Sequence, residues 1–398
     1  MSKKEKLICI ISGLWILAST MSSSFVSVYL YSYTGSLVVM TIFTMIRIFM
    51  FTIFFIIGAK LAQKFGYSIT MFTGIILSSL YLLLVLYGNS LFENYNWSVY
   101  LVGAFIGIGE GFYWISSTSL RQLVSIPETR MRFINMIGLF DNSAKLFAPM
   151  IASFLIAISI NDIEGYKEIF KVILATYVVI AVLATQIKEN AEAKKFVILK
   201  HLYSNLKNDP QWRYCATTTI LFGIRDSLLL TLTGLLIFEA LGTNGTLYSN
   251  LLIFFSFITV VAHMFLAKRV QRPFNMKIFF VSSIALTLST IVLAYFPNMF
   301  GAVFFGVVNG ASLPLVSNTY QKDYMEIISQ YRTSENMIGR IISRDIFFTV
   351  GRMIGMSAIV LAFYIFPNDT YILYSVSLVS LSSIVVAFVI YNYRKKTS

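Results

Sequence analysis

Long apolar runs, interrupted at short intervals by charged or polar clusters, dominate the pattern along the chain. Read at roughly 20 apolar residues per membrane crossing, they predict helices at about 7–31, 36–58, 68–88, 98–122, 133–158 and 168–187. A second set follows at about 213–240, 246–266, 277–296, 299–320, 341–366 and 371–393. Between the sets, residues 188–212 are polar enough to leave the bilayer. Lys3, Lys4 and Lys6 ahead of the first run imitate a signal peptide, but the run continues from Leu7 to about Tyr31 and carries no small-residue cleavage pattern. It reads as the first membrane helix.

Composition agrees with that reading. Of the 398 residues, 57% are hydrophobic and only 12% charged, with a mean hydropathy of +0.76, whereas soluble chains carry roughly 25% charged residues. The expected fold class is therefore an all-α membrane protein of about twelve transmembrane helices in two six-helix bundles. The expected divisions are residues 1–187, a cytoplasmic linker at 188–212, and residues 213–398.

A net charge of +13 raises the question of a nucleic-acid surface, and the placement of the charges answers it. With both termini in the cytoplasm, only Lys167 and Lys171 fall in outward loops, and only Arg47, Lys145, Arg225 and Arg352 lie inside helices. The rest of the 31 Lys and Arg fall on the inward side, as the positive-inside rule requires. The partners implied are the bilayer and a small-molecule substrate, with no nucleic acid, and a monomer is expected in a bacterial inner or plasma membrane. Within the linker, Phe196, Leu199, Leu202, Tyr203 and Leu206 recur at helical spacing opposite Lys194, Lys195, Lys200 and Lys207. This pattern fits a basic amphipathic helix on the inner leaflet, or equally a solvated linker helix.

The two halves share features at matching positions. Ala104-Phe-Ile-Gly107-Ile-Gly-Glu110-Gly111 in the fourth segment corresponds to Val303-Phe-Phe-Gly306-Val-Val-Asn309-Gly310 in the tenth. Ala59-Lys60-Leu-Ala-Gln63-Lys64 after the second segment corresponds to Ala267-Lys268-Arg-Val-Gln271-Arg272 after the eighth. Such repeats imply two pseudo-symmetric bundles, a common transporter design.

On these residues the chain resembles the major facilitator superfamily. The signature between the second and third helices of that family is matched by Gly58-Ala-Lys60-Leu-Ala-Gln63-Lys64-Phe-Gly66-Tyr67, with Gln63 where the family usually has Asp. The resemblance makes Lys60, Gln63, Lys64 and Gly66 an inner-gate loop. The antiporter branch carries a glycine-rich run in its fifth helix, and here Gly138 to Ser153 keeps Ala148-Pro149 and loses most of the glycines. The run Gly109-Glu-Gly-Phe-Tyr-Trp114 looks most like a poorly characterised bacterial branch of transporters.

Seven charged residues fall well inside the predicted helices: Arg47, Glu110, Asp141, Lys145, Arg225, Asp226 and Arg352. Each costs roughly 2.5–3.5 kcal/mol at a helix centre unless it faces another charge or a wet cavity. The third, sixth, ninth and twelfth segments carry none, and the resemblance places those helices on the lipid side. Asp141 and Lys145, spaced i, i+4, either neutralise each other or contact substrate. Arg225 and Asp226 point about 100° apart and so meet different partners.

Glu110 lies among Gly103, Gly107 and Gly111, whose spacing suits close helix packing but leaves the carboxylate unexplained. Glu110 is the first candidate for proton coupling, followed by Asp226 and Asp141, with a fixed ion pair to Arg47 or Lys145 as the competing reading for Glu110. Arg47 and Arg352 are the first candidates to grip an anionic group, and Arg225, Lys145, Tyr113, Trp114 and Asn309 complete the substrate-binding set. Tyr113 and Trp114 serve packing equally well. Pro314 is placed to kink the tenth helix, and His263 reads as a helix-contact residue.

No ATP-binding loop and no metal-ligand spacing occur, so neither an enzyme nor a cofactor is indicated. The leading function is proton-coupled export of a small amphipathic or anionic molecule by alternating access. Uptake of an anionic metabolite is the second version. A lipid flippase, with Tyr29, Tyr31 and Tyr33 toward lipid, and a non-transporting membrane sensor are the readings from other classes.

Overall fold

A computed structural model describes residues 2–95, 97–124, 130–187, 206–207, 209–269, 276–329, 334–366 and 370–397. The first six long helices are α1 (Lys3–Thr34), α2 (Leu37–Phe65), α3 (Tyr67–Tyr87), α4 (Trp97–Val124), α5 (Arg130–Ile158) and α6 (Asp162–Ala184). A short helix, Asn89–Asn94, precedes α4. The next are α7 (Pro210–Ala240), α8 (Gly245–Arg269), α9 (Met276–Tyr295), α10 (Met299–Ser329) and α11 (Ser334–Ile365). The last, α12, runs as Thr370–Ser380 and Ser382–Thr397 with a turn at Leu381.

Eleven of the described helices are long and apolar enough to cross a membrane. The remaining one, α6, has its charges at one end, where Lys167 pairs with Glu164 at 2.8 Å and Lys171 with Glu168 at 2.6 Å. Both pairs are local, so the apolar remainder of α6 buries Ile169, Phe170, Ile173, Tyr177 and Ile180.

Several helices outrun their apolar stretches because capping satisfies their ends in water. Ser2 accepts from the Glu5 backbone at 3.1 Å while its own N–H donates to the Glu5 carboxylate at 2.7 Å, so α1 starts at Lys3 rather than near Leu7. Asp209 accepts from the Trp212 N–H at 3.0 Å with Pro210 at the first helical position, so α7 starts three residues before the predicted 213. Similarly, α2 continues to Phe65, which makes Lys60, Gln63 and Lys64 its last turn and a half rather than a loop. The expected linker at 188–212 lies outside the described residues except for 206–207 and 209–212.

The chain divides into two compact units, Met1–Lys195 with Asn244–Ile253, and Phe196–Thr243 with Phe254–Ser398. In the first, α4 packs along α2 and α3, and α1 along α5 and α6. Trp15, Phe25, Tyr29, Tyr81, Tyr113, Tyr166 and Phe170 are fully buried there. In the second, α7 packs along α11 and α12, and α9 along α10 and α12. Its core gathers Trp212, Phe222, Phe279, Leu286, Tyr320 and Phe347.

Glycines set the closest crossings. A Cβ on Gly111 would stand 2.7 Å from the Phe51 carbonyl oxygen, one on Gly103 2.7 Å from that of Phe43, and one on Gly107 would collide with that of Arg47. The three glycines, four residues apart, let the α4 backbone lie directly on α2. A Gly107→Val variant is therefore expected to lose roughly 2 kcal/mol or more of stability through overpacking. Gly138, with nothing within 4 Å of an added Cβ, serves as control: Gly138→Ala is expected to gain about 0.5–1 kcal/mol by helix propensity. Thermal unfolding of the purified variants reads both effects.

Candidate functional site

Along the α2–α4 crossing, Glu110 lies between Gly107 and Gly111, and Arg47 reaches it from α2. Arg47 Nε donates to Glu110 Oε2 at 3.0 Å and Nη2 donates to Oε1 at 2.6 Å. Both side chains are mostly buried, at 17% exposure each. This two-pronged geometry is the strongest form of arginine–carboxylate pairing. Arg47 and Glu110 thus meet each other as an ion pair.

A second charged group of the same unit joins three helices. Arg121 of α4 donates to Ser12 Oγ of α1 at 2.6 Å, and Ser12 in turn donates to Asp141 Oδ1 of α5 at 2.6 Å. Arg121 also approaches Asp141 Oδ2 at 3.8 Å. The i, i+4 pairing of Asp141 with Lys145 is not formed. Lys145 is exposed and has no ion-pair partner among the described residues, and Asp141, four residues before it, is taken by Ser12 and Arg121.

The second unit repeats the theme on a different crossing. Gly223 of α7 lies against the Phe348 carbonyl, and Gly351 and Gly355 of α11 lie against the carbonyls of Ile220 and Ile224. On that crossing Arg352 Nε donates to Asp226 Oδ2 at 2.9 Å, and Nη2 reaches the same oxygen at 2.8 Å. The Arg352 guanidinium also sits 4.1 Å from the Phe348 ring centre, a cation–π contact. Arg225, one residue before Asp226, turns to α10 and donates from Nη2 to Asn309 Oδ1 at 2.7 Å. The two neighbours do meet different partners, as their angular separation requires.

The aromatic candidates pack against other rings. Tyr113 is fully buried and stacks on Trp15 with ring centres 3.5 Å apart, and Trp114 meets Tyr113 edge-on at 5.7 Å. Lys60 and Lys64 are exposed and Gln63 is half-buried, while Gly66 makes the turn into α3 at φ 94° and ψ 155°, a conformation essentially confined to glycine. Pro314 lies inside α10, whereas the side chain of His263 lies outside what is described. Both cysteines are free and buried, and no metal-binding cluster occurs among the described residues.

Sequence reasoning missed Arg121 as a site residue because α4 seemed to end there. It follows Glu110 by eleven residues, three turns of helix, which puts it on the same face. Also missed was a polar network in the second unit, in which Tyr214 Oη donates to Asp323 Oδ2 at 2.7 Å and Arg394 Nη2 to Oδ1 at 2.6 Å. Beside Asp209, Arg340 pairs at 3.2 Å and covers the Trp212 ring at 4.7 Å.

Apolar helices in two units, crossed at glycines and carrying paired charges in their interiors, define a polytopic membrane carrier. Residues 8–343 match the profile of the Major Facilitator Superfamily, and the chain belongs to that family. It is a multi-pass membrane transporter and not an enzyme, and the family fold supports secondary transport by alternating access. The chain is 23% identical to the uncharacterised protein YqgE of Bacillus subtilis (strain 168) over 394 residues, 97% of this chain and 89% of the relative. It is 28% identical over 164 residues to an uncharacterised protein of the sodM 3' region in Geobacillus stearothermophilus, 41% of this chain and 74% of that one. Among solved structures it is similar to the nucleoside transporter NupG, with TM-score 0.68, 11% identity, and coverage of 97% and 98% of the two chains. The E. coli fucose:proton symporter FucP is likewise similar, at TM-score 0.61, 16% identity, and 96% and 97% coverage.

The Arg352–Asp226 pair provides a direct test of how much these bridges hold. Asp226→Asn leaves a mostly buried guanidinium without its counter-charge and is expected to cost about 3 kcal/mol. The charge-reversed double variant Asp226→Arg with Arg352→Asp is expected to recover part of that loss in thermal unfolding.

Proposed function

We propose that the protein is a proton-coupled carrier of a small organic anion in the bacterial plasma membrane, with both termini in the cytoplasm. The observation that carries this reading is the two-pronged Arg47–Glu110 bridge, in which each side chain is the other's partner. An arriving anion that takes Arg47 leaves the Glu110 carboxylate without its counter-charge in an apolar helix crossing. Glu110 is relieved by taking up a proton. Anion and proton then bind together, the pair is electroneutral, and the membrane potential does not oppose its entry.

This linkage favours uptake, the version ranked second on sequence grounds, over export. Proton-driven export needs the proton to expel the substrate, whereas the exchange at Arg47 makes each help the other bind. The excess of lysines and arginines at the inward loop ends supports the orientation.

Proteoliposomes with an entrapped pH indicator provide the test, using a panel of membrane-impermeant carboxylates such as sugar acids and amino acids. The expected result is lumenal acidification that accompanies uptake of one class, and its loss in Glu110→Gln. A lumen that turns alkaline as the anion enters would make the carrier an exchanger of proton against anion. Proton movement unchanged in Glu110→Gln would remove Glu110 from the coupling.

A further inference from the structure

Three of the four arginines at these helix crossings have a carboxylate: Arg47 has Glu110, Arg121 has Asp141, and Arg352 has Asp226. Arg225 has none among the described residues. It is only 4% exposed, its Nη2 meets the neutral amide oxygen of Asn309, and its Nη1 is buried with no acceptor among the described residues. Asp226, its neighbour in sequence, is engaged by Arg352.

The internal repeat explains how the imbalance arises. Asn309 occupies in Gly306-Val-Val-Asn309-Gly310 the position that Glu110 occupies in Gly107-Ile-Gly-Glu110-Gly111. In each unit that position receives an arginine from another helix, Arg47 in the first and Arg225 in the second. In the first unit the repeat supplies a carboxylate, and in the second it supplies an amide of similar shape without the charge.

We infer that Arg225 with Asn309 is the anchoring site for the carboxylate group of the transported solute. The solute carboxylate takes the Nη1 edge of Arg225, beside the Asn309 amide that holds Nη2. The free Nη1 and the flanking Nη2 present the planar fork that a carboxylate accepts from two sides, and the Asn309 amide adds a donor that a glutamate at this position lacks. Because no internal carboxylate has to be displaced, binding at Arg225 takes up no proton. The proton-linked part of affinity belongs to Arg47 and Glu110, so the site rests on the organic-anion reading above but not on its proton coupling.

Purified full-length protein is titrated with sodium benzoate, or with benzamide as the uncharged counterpart, at pH 6 and pH 8, and thermal unfolding is followed. Benzoate is expected to raise the unfolding midpoint saturably and benzamide to leave it unmoved. Asn309→Glu is expected to raise the midpoint without ligand, since it supplies the missing counter-charge, and to weaken benzoate by about tenfold or more at both pH values. Should that variant not fold, Arg225→Gln serves, and the benzoate response at pH 8 must vanish with it. Benzoate stabilisation at pH 8 that survives either substitution, or its absence from the wild-type protein, overturns the assignment, as does a midpoint lowered in folded Asn309→Glu. Glu110→Gln separates the two readings: it is expected to abolish the separate binding of benzoate at Arg47, which is tighter at pH 6, while the pH-independent response at Arg225 persists. If wild-type affinity is equal at both pH values yet sensitive to Asn309→Glu, the proton reading fails and the anchoring site stands.

Discussion

Three pairs of opposite charges, each joining neighbouring helices, organise this protein: Arg47 with Glu110, Arg121 with Asp141 and Arg352 with Asp226. Each bridge spans two helices, so its length limits how far apart their axes can sit. Arg47 and Glu110 share the crossing at which Gly103, Gly107 and Gly111 bring the α4 backbone against α2. Arg352 and Asp226 share the crossing at which Gly223, Gly351 and Gly355 bring α7 and α11 together. Small residues and paired charges are thus one device, since close backbones let short side chains meet. A carrier that changes shape has to keep these crossings intact or trade one partner for another.

Much of this was legible in the residues. The apolar runs located every long helix, because the cost of unpaired backbone groups in lipid leaves the chain no other way across. The glycine spacing in the fourth segment foretold close packing, and Arg47 was already a named alternative partner for Glu110. Helix ends were less visible. Ser2, Asp209 and Asn161 cap helices in water, where hydropathy carries no signal. For the same reason the gate motif looked like a loop although it forms the end of α2.

Partner choice was the least visible. Asp141 and Lys145 satisfy the spacing for a pair along one helix, yet Asp141 turns to Ser12 and Arg121 on two other helices. An i, i+4 rule describes isolated helices in water. In a bundle, the faces toward neighbours decide, and a single sequence does not state which face points where. Arg225 shows the same limit from the other side. Its sequence neighbour is an aspartate, and only the assembled helices reveal that the aspartate is already taken.

Gly66 is the whole connection between α2 and α3. A tether of one residue, held in a backbone shape that other amino acids resist, leaves no slack between the two helices. A displacement of the α2 end is therefore passed to α3 through a single residue, with no loop between them to absorb it.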